Sequence, residues 1–163
     1  MMTFDPFTWR PASATDVPVL AALYRSAAQQ LGPLVYTLEQ TRAWASFADD
    51  VAAFRHYVLE ADTWIAERAT DLSVLGFCGV SVEGELREVH SLYVTPPCAR
   101  QGIGGEMLRR TLQRAESTGA TRFAAWVTPL SRPVFLAAGF EWTRTVSEPF
   151  AGTLFERYRV ERG

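Results

Sequence analysis

Apolar and polar positions change period several times along this chain, and each change marks an element. Residues 7–10 read as a short strand. Val17, Leu20, Ala21 and Tyr24 recur at helical spacing, behind the capping oxygens of Ser13 and Thr15. Gly32 and Pro33 break that helix. Thr37, with Gln40 three residues on, predicts a capping box for a second helix whose apolar side is Ala43, Trp44 and Phe47. A further helical piece is expected over residues 49–60. The period then shortens to two. Residues 63–68, 74–82 and Leu86–Val94 read as three strands on short polar turns, an antiparallel meander. Residues 104–117 return to helical spacing, through Met107, Leu108, Leu112 and Ala115, and stop at Gly119. A strand over 122–128 follows that helix, which makes the connection a parallel crossover. A short helix at 131–138 and a pair of strands at 141–147 and 153–160 complete the order.

The stretch between the third meander strand and the long helix carries the chemistry. Pro96 and Pro97 stop the strand, since neither can donate to a ladder. Gly102, Gly104 and Gly105 then lead into the helix start, where unpaired N–H groups and the positive end of the macrodipole suit an anion. Arg100, Arg109, Arg110 and Arg114 stand nearby against one acid, Glu106, and offer either further phosphate contacts or a solvated helix face. The dinucleotide fingerprint fails, because Met107 stands where its third glycine belongs. The Walker loop fails because it needs a lysine and the chain has none.

Composition narrows the field further. A length of 163 residues with 48% hydrophobic content fits a single domain over 1–163 with its own core. No apolar run approaches the ~20 residues of a membrane span, and MMTFDPFTWR lacks the features of a signal peptide. Cys78 and Cys98 are too few for a disulfide scaffold. The expected compartment is the cytoplasm. A net charge of −2 gives no reason to expect nucleic acid.

Ala99-Arg-Gln-Gly-Ile-Gly-Gly105, after the strand Leu92-Tyr-Val94 and before an amphipathic helix, resembles motif A of the GCN5-related N-acetyltransferases (GNAT). Gly102 and Gly104 match that family's Q/R-x-x-G-x-G/A pattern, and Ala99 takes the Q/R position. Ser131 to Phe140 resembles its motif B, and the element order β-α-α-β-β-β-α-β-α-β-β is the family's. Tyr36 to Trp44 resembles a stretch common in the YafP-like small-molecule branch. The resemblance implies an α/β (α+β) fold with a mixed, mostly antiparallel sheet and helices on both faces. It implies acetyl-CoA as co-substrate, no metal, and the cradle Leu92, Tyr93, Val94, Arg100, Gln101, Gly102, Ile103, Gly104 and Gly105. It also implies a strand bulge near Leu92-Tyr93, and an acceptor wall from the loop between the first two helices, which makes Tyr36, Trp44 and Phe47 candidates to touch substrate. Trp126, on the strand that splays from the catalytic one, and Glu148 and Phe150, in the loop joining the last pair, are further candidates. Packing in the core accounts for such aromatics equally well.

Acetyl transfer to an amine needs a proton acceptor. Alternation places Glu88, His90, Leu92 and Val94 on one face unless a bulge changes the phase. Aligned on the glycines, Glu88 falls where histone-type members place their base, and Glu88 with His90 where arylalkylamine-type members place two histidines. Imidazole ordinarily titrates near neutrality, and a glutamate serves where burial raises its pKa. A surface ion pair for Glu88 and a core role for His90 are the plain readings beside these. Phe135 stands where many members place a tyrosine that protonates the departing thiolate. Water, Cys98, Ser131 or Tyr93 is then the substitute donor. The expected function is transfer of acetyl from acetyl-CoA to a primary amine of a small molecule by direct attack. The alternatives are a weakly active acyl-CoA-binding sensor or partner subunit, and an enzyme acting on a protein lysine or N-terminus. A terminal strand or an exposed sheet edge offers a route to a homodimer.

Overall fold

The computed structural model describes residues 7–163, and one twisted seven-stranded sheet organises them. The strands are β1 (Phe7–Pro11), β2 (Asp62–Arg68), β3 (Val74–Val80), β4 (Leu86–Val94), β5 (Arg122–Val127), β6 (Glu141–Phe150) and β7 (Thr153–Arg162). Their order is β1-β2-β3-β4-β5-β7-β6. Every pairing is antiparallel except β4 with β5. The long helix α4 (Ile103–Ser117) makes that crossover, as its apolar spacing predicts.

Helices cover both faces. Ile103, Met107, Leu108 and Leu112 of α4 pack on one face together with Phe135 of α5 (Arg132–Ala137). Leu20 and Leu23 of α1 (Val17–Leu31) and Phe54 and Val58 of α3 (Val51–Leu59) pack on the other. Between α1 and α3 lies α2 (Leu38–Ser46). Its capping box forms as expected, with the Gln40 N–H donating to Thr37 Oγ1 at 3.1 Å and the Thr37 N–H to Gln40 Oε1 at 2.9 Å. Asp50 breaks the second helical stretch, accepting from the Ala53 N–H at 3.0 Å and so starting α3 as a separate helix.

The end of β6 and the place of the β4 bulge differ from the sequence reading in ways that bear on the site. β6 runs to Phe150, so Glu148 and Phe150 lie on a strand rather than in a loop. The turn needs only Ala151 and Gly152, both left-handed at φ 48° and 78°, the geometry of a tight two-residue hairpin. The β4 bulge lies at His90, not at Leu92-Tyr93. The β3–β4 register steps from Gly79↔Ser91 to Val80↔Val89, which leaves His90 as the extra residue. Tyr57 Oη donates to the His90 carbonyl at 2.9 Å and takes up an acceptor left outside the ladder.

Candidate active site

The bulge resets which side chains share a face of β4. Val89, Leu92 and Val94 join the core beneath α4, and Tyr93 joins the core beneath α1 and α3. Glu88 therefore no longer shares a face with Leu92 and Val94, as unbroken alternation predicts. Among the described residues β4 pairs with β5 through Leu86, Arg87 and Glu88 alone. Beyond Glu88 the two strands part, and β4 runs on with its β5-side edge unpaired.

Two cavities open along this parting. The first, of about 250 Å³, lies between the free stretch of β4, the glycine corner and α5. Leu92, Tyr93 and Val94 line one side of it, and Arg100, Gly102, Gly104 and Gly105 line its end. Arg100 at φ 63° and Gly102 at φ 84° turn the chain into α4. An arginine held there stores about 1–3 kcal/mol of backbone strain. The N–H groups of Ile103, Gly104 and Gly105 precede the first helical bond, which the Glu106 N–H donates to the Gly102 carbonyl at 3.2 Å. They are the free donors of a helix start. A Cβ at Gly105 meets nothing within 4 Å, and one at Gly104 meets only Val94 Cγ2 at 3.6 Å. The glycines thus keep open a space that side chains would fill.

Two residues of the expected cradle do not line the cavity with their side chains. Ile103, the first residue of α4, turns its side chain into the core, and Gln101 Nε2 donates to the Pro97 carbonyl at 3.4 Å. Nor do three of the four arginines reach it. Arg109 and Arg110 pair with Glu106 at 2.7 and 2.9 Å, and hold its carboxyl down at about 2. Arg114 pairs with Asp62 at 2.9 Å and covers the Trp64 ring.

The second cavity, of about 320 Å³, lies between α1, α2 and the β6–β7 hairpin. Tyr36, Trp44 and Trp126 line it, as do Phe47, Glu148 and Phe150. Tyr24, Tyr57 and Phe155 complete the aromatic wall. These three gave no sequence signal beyond apolar spacing. Burial pushes the Tyr24, Tyr57 and Tyr93 hydroxyls above the ordinary phenol range, and pushes Tyr36 up to about 12. All four therefore stay protonated near neutrality.

His90, Trp44, Tyr93, Trp126 and Thr128 line both cavities, so the two meet there. Trp44 Nε1 donates to Tyr93 Oη at 3.3 Å, which fixes part of the junction. Glu88 lines neither cavity. Both its oxygens accept from Arg159 of β7. Of the substitute proton donors, Cys98 is buried away from the cavities against Arg68, whereas Ser131 lines the first cavity one helical turn before Phe135. Ser131 Oγ accepts from the Thr128 N–H at 3.1 Å. Phe135 is buried edge-to-face against Phe140, at 5.1 Å between ring centroids.

Among the described residues no helix is long and apolar enough to cross a membrane, and no cluster of three or more His, Cys, Asp or Glu is placed to hold a metal ion. The family model described as acetyltransferase (GNAT) family matches residues 22–140. No curated protein matches the chain significantly. Solved structures share the fold over nearly its whole length. A GCN5-related N-acetyltransferase from Rhodopseudomonas palustris superposes with a TM-score of 0.88 at 23% identity, covering 99% of this chain and 98% of that one. The PaiA N-acetyltransferase of Thermoplasma acidophilum, in complex with coenzyme A, gives 0.78 at 16% identity, covering 96% and 98%. A phosphinothricin acetyltransferase from Sinorhizobium meliloti, in complex with acetyl-CoA, gives 0.70 at 20% identity, covering 96% and 87%.

Proposed function

The chain belongs to the acetyltransferase (GNAT) family of acetyl-CoA-dependent N-acyltransferases, and from that premise we propose that it acetylates the primary amine of a small molecule by direct attack, with His90 as proton acceptor. The first cavity fits acetyl-CoA by its donor set: free N–H groups at the α4 start, Arg100 beside them, and the unpaired edge of β4. Acetyl-CoA supplies the activated thioester. The chain's own residues do the rest. Gly102, Gly104 and Gly105 admit the pyrophosphate to the helix start. The backbone of Leu92 and Val94 offers strand-like bonds to the pantetheine arm. The acceptor amine enters through the second cavity. Its nitrogen attacks the thioester carbon; an N–C bond forms, the C–S bond breaks with coenzyme A leaving as its thiolate, and the nitrogen's proton passes to His90 directly or through one water.

One observation carries this reading. His90 stands on the unpaired stretch of β4 where the two cavities meet, with the glycine corner at the far end of the first. A second feature favours a small acceptor. Gln40 Nε2 donates to the Leu154 carbonyl at 3.0 Å, and the Tyr36 and Phe155 rings stand 5.3 Å apart, so α2 and the hairpin meet along one side of the second cavity. That contact narrows the approach for a polypeptide on this side. Mass spectrometry of product from acetyl-CoA with an amine panel and a lysine-bearing peptide tests this. An acetylated small amine supports the reading; acetylation of the peptide alone overturns it.

A binding module with little turnover is favoured by one observation, the hydroxyl-free ring of Phe135 in the first cavity. Tight acetyl-CoA binding without thiol release from any amine selects that reading.

A further inference from the structure

We infer that the acceptor carries its amine on an uncharged aromatic body without a carboxylate; this rests on the acyl-transfer reading above. Nine of the sixteen residues lining the second cavity are aromatic, against 12% of the whole chain. The rings stand at angles that make slots rather than one flat wall. Tyr36 meets Trp44 edge-on at 5.6 Å and 85°, and Phe47 meets Phe150 at 6.3 Å and 62°. Such slots favour a ring offered edge or face. Phe150 leaves 42% of its surface exposed at the hairpin end, so apolar surface continues to the mouth. The volume of about 320 Å³ suits one ring and a short alkyl arm, with the amine at His90.

The cavity lining carries two acids, Glu148 and Glu156, against one arginine, Arg157. Arg157 pairs with Glu148 at 2.8 Å and lies 5.1 Å from the Trp126 ring centre. Glu156 accepts from Tyr158 Oη at 3.3 Å. Arg144 and Arg159 also crowd Trp126, at 5.4 and 5.2 Å, and hold that indole in place. An acceptor carboxylate therefore meets more negative than positive charge in the lining. Discrimination against carboxylates is the specificity consequence.

The test compares matched acceptors with wild-type protein, by thiol release from acetyl-CoA, alongside a calorimetric titration with acetyl-CoA. The acceptors are 2-phenylethylamine, phenylalanine, spermidine and a lysine-bearing peptide. The expected result is a kcat/KM for 2-phenylethylamine at least ~100-fold above that for phenylalanine. Phe150→Ala, at an exposed hairpin position, raises the KM for 2-phenylethylamine about tenfold and leaves acetyl-CoA affinity unchanged. If acetyl-CoA binds but phenylalanine, spermidine or the peptide is used as well as 2-phenylethylamine, or none of the four is used, the acceptor inference is overturned and the acetyl-CoA site stands. If acetyl-CoA does not bind, both fall together.

Discussion

Glu88 of β4 and Arg159 of β7 meet in a two-pronged ion pair that reaches across β5. Glu88 is also the last residue of β4 paired to β5, through Ala124. The pair thus sits where the strands begin to part and pins the apex of the opening that His90 and Trp126 line. The guanidinium of Arg159 is held further toward its charged form by Glu88. In this account Glu88 sets the geometry of the cleft, and His90 takes the proton.

The two roles separate by substitution. His90→Gln is expected to lower kcat by about 10²–10⁴ with acetyl-CoA affinity unchanged. Glu88→Gln is expected to lower kcat by less than about tenfold and to cost about 1–3 kcal/mol of stability in urea unfolding. The reverse pattern makes Glu88 the base.

The glycine corner is testable without disturbing the fold. Gly104→Val places a side chain where a Cβ already stands 3.6 Å from Val94 Cγ2. The expected outcome is a loss of acetyl-CoA binding of at least ~100-fold with the far-ultraviolet spectrum and melting temperature retained. Unchanged affinity contradicts the cradle assignment.

Phe135→Tyr supplies a hydroxyl to the first cavity at the position one turn after Ser131. The expected outcome is a kcat raised about tenfold or more, with the KM for acetyl-CoA unchanged. A flat response shows that Ser131, Tyr93 or water already protonates the thiolate, or that this step is not limiting.

Stability should depend on pH through the N-terminal corner. Arg10 donates to both oxygens of Asp16 and, through Nε, to Glu67 at 2.8 Å, tying β1, β2 and the entry to α1 together. The Arg10 guanidinium holds the Asp16 carboxyl down at about 2, from 3.8. A carboxyl lowered on folding contributes its full stabilisation above its unfolded pKa and loses it as pH falls through the folded one. Asp16→Asn should therefore cost about 1–2 kcal/mol at pH 7. The gap from wild type should close between pH 4 and about 2 in a denaturant series. A constant gap across that window contradicts the pair.

Local signals made much of the fold legible. Capping at Thr37, the prolines after Val94, the glycines before α4 and the alternation of the meander strands each act over a few residues, and each element lies where they put it. What depended on distant partners was hidden. The carbonyl left out of the ladder by the bulge at His90 is taken up by Tyr57, 33 residues away in sequence. The engagement of Glu88 comes from Arg159, 71 residues on. Arg109, Arg110 and Arg114 read as phosphate contacts or as a solvated helix face, and only the packed helix shows them paired with Glu106 and Asp62. In the second cavity, Tyr36, Trp44 and Trp126 were singled out through the family resemblance, whereas Tyr24, Tyr57 and Phe155 look in sequence like any core aromatic.

The central claim is that the corner from Arg100 to Gly105 receives acetyl-CoA. The most direct measurement is a calorimetric titration of the wild-type protein with acetyl-CoA, with NADH as control. The account predicts one site per chain, micromolar affinity and no heat from NADH. No binding of acetyl-CoA, alone or with 2-phenylethylamine present, would contradict it.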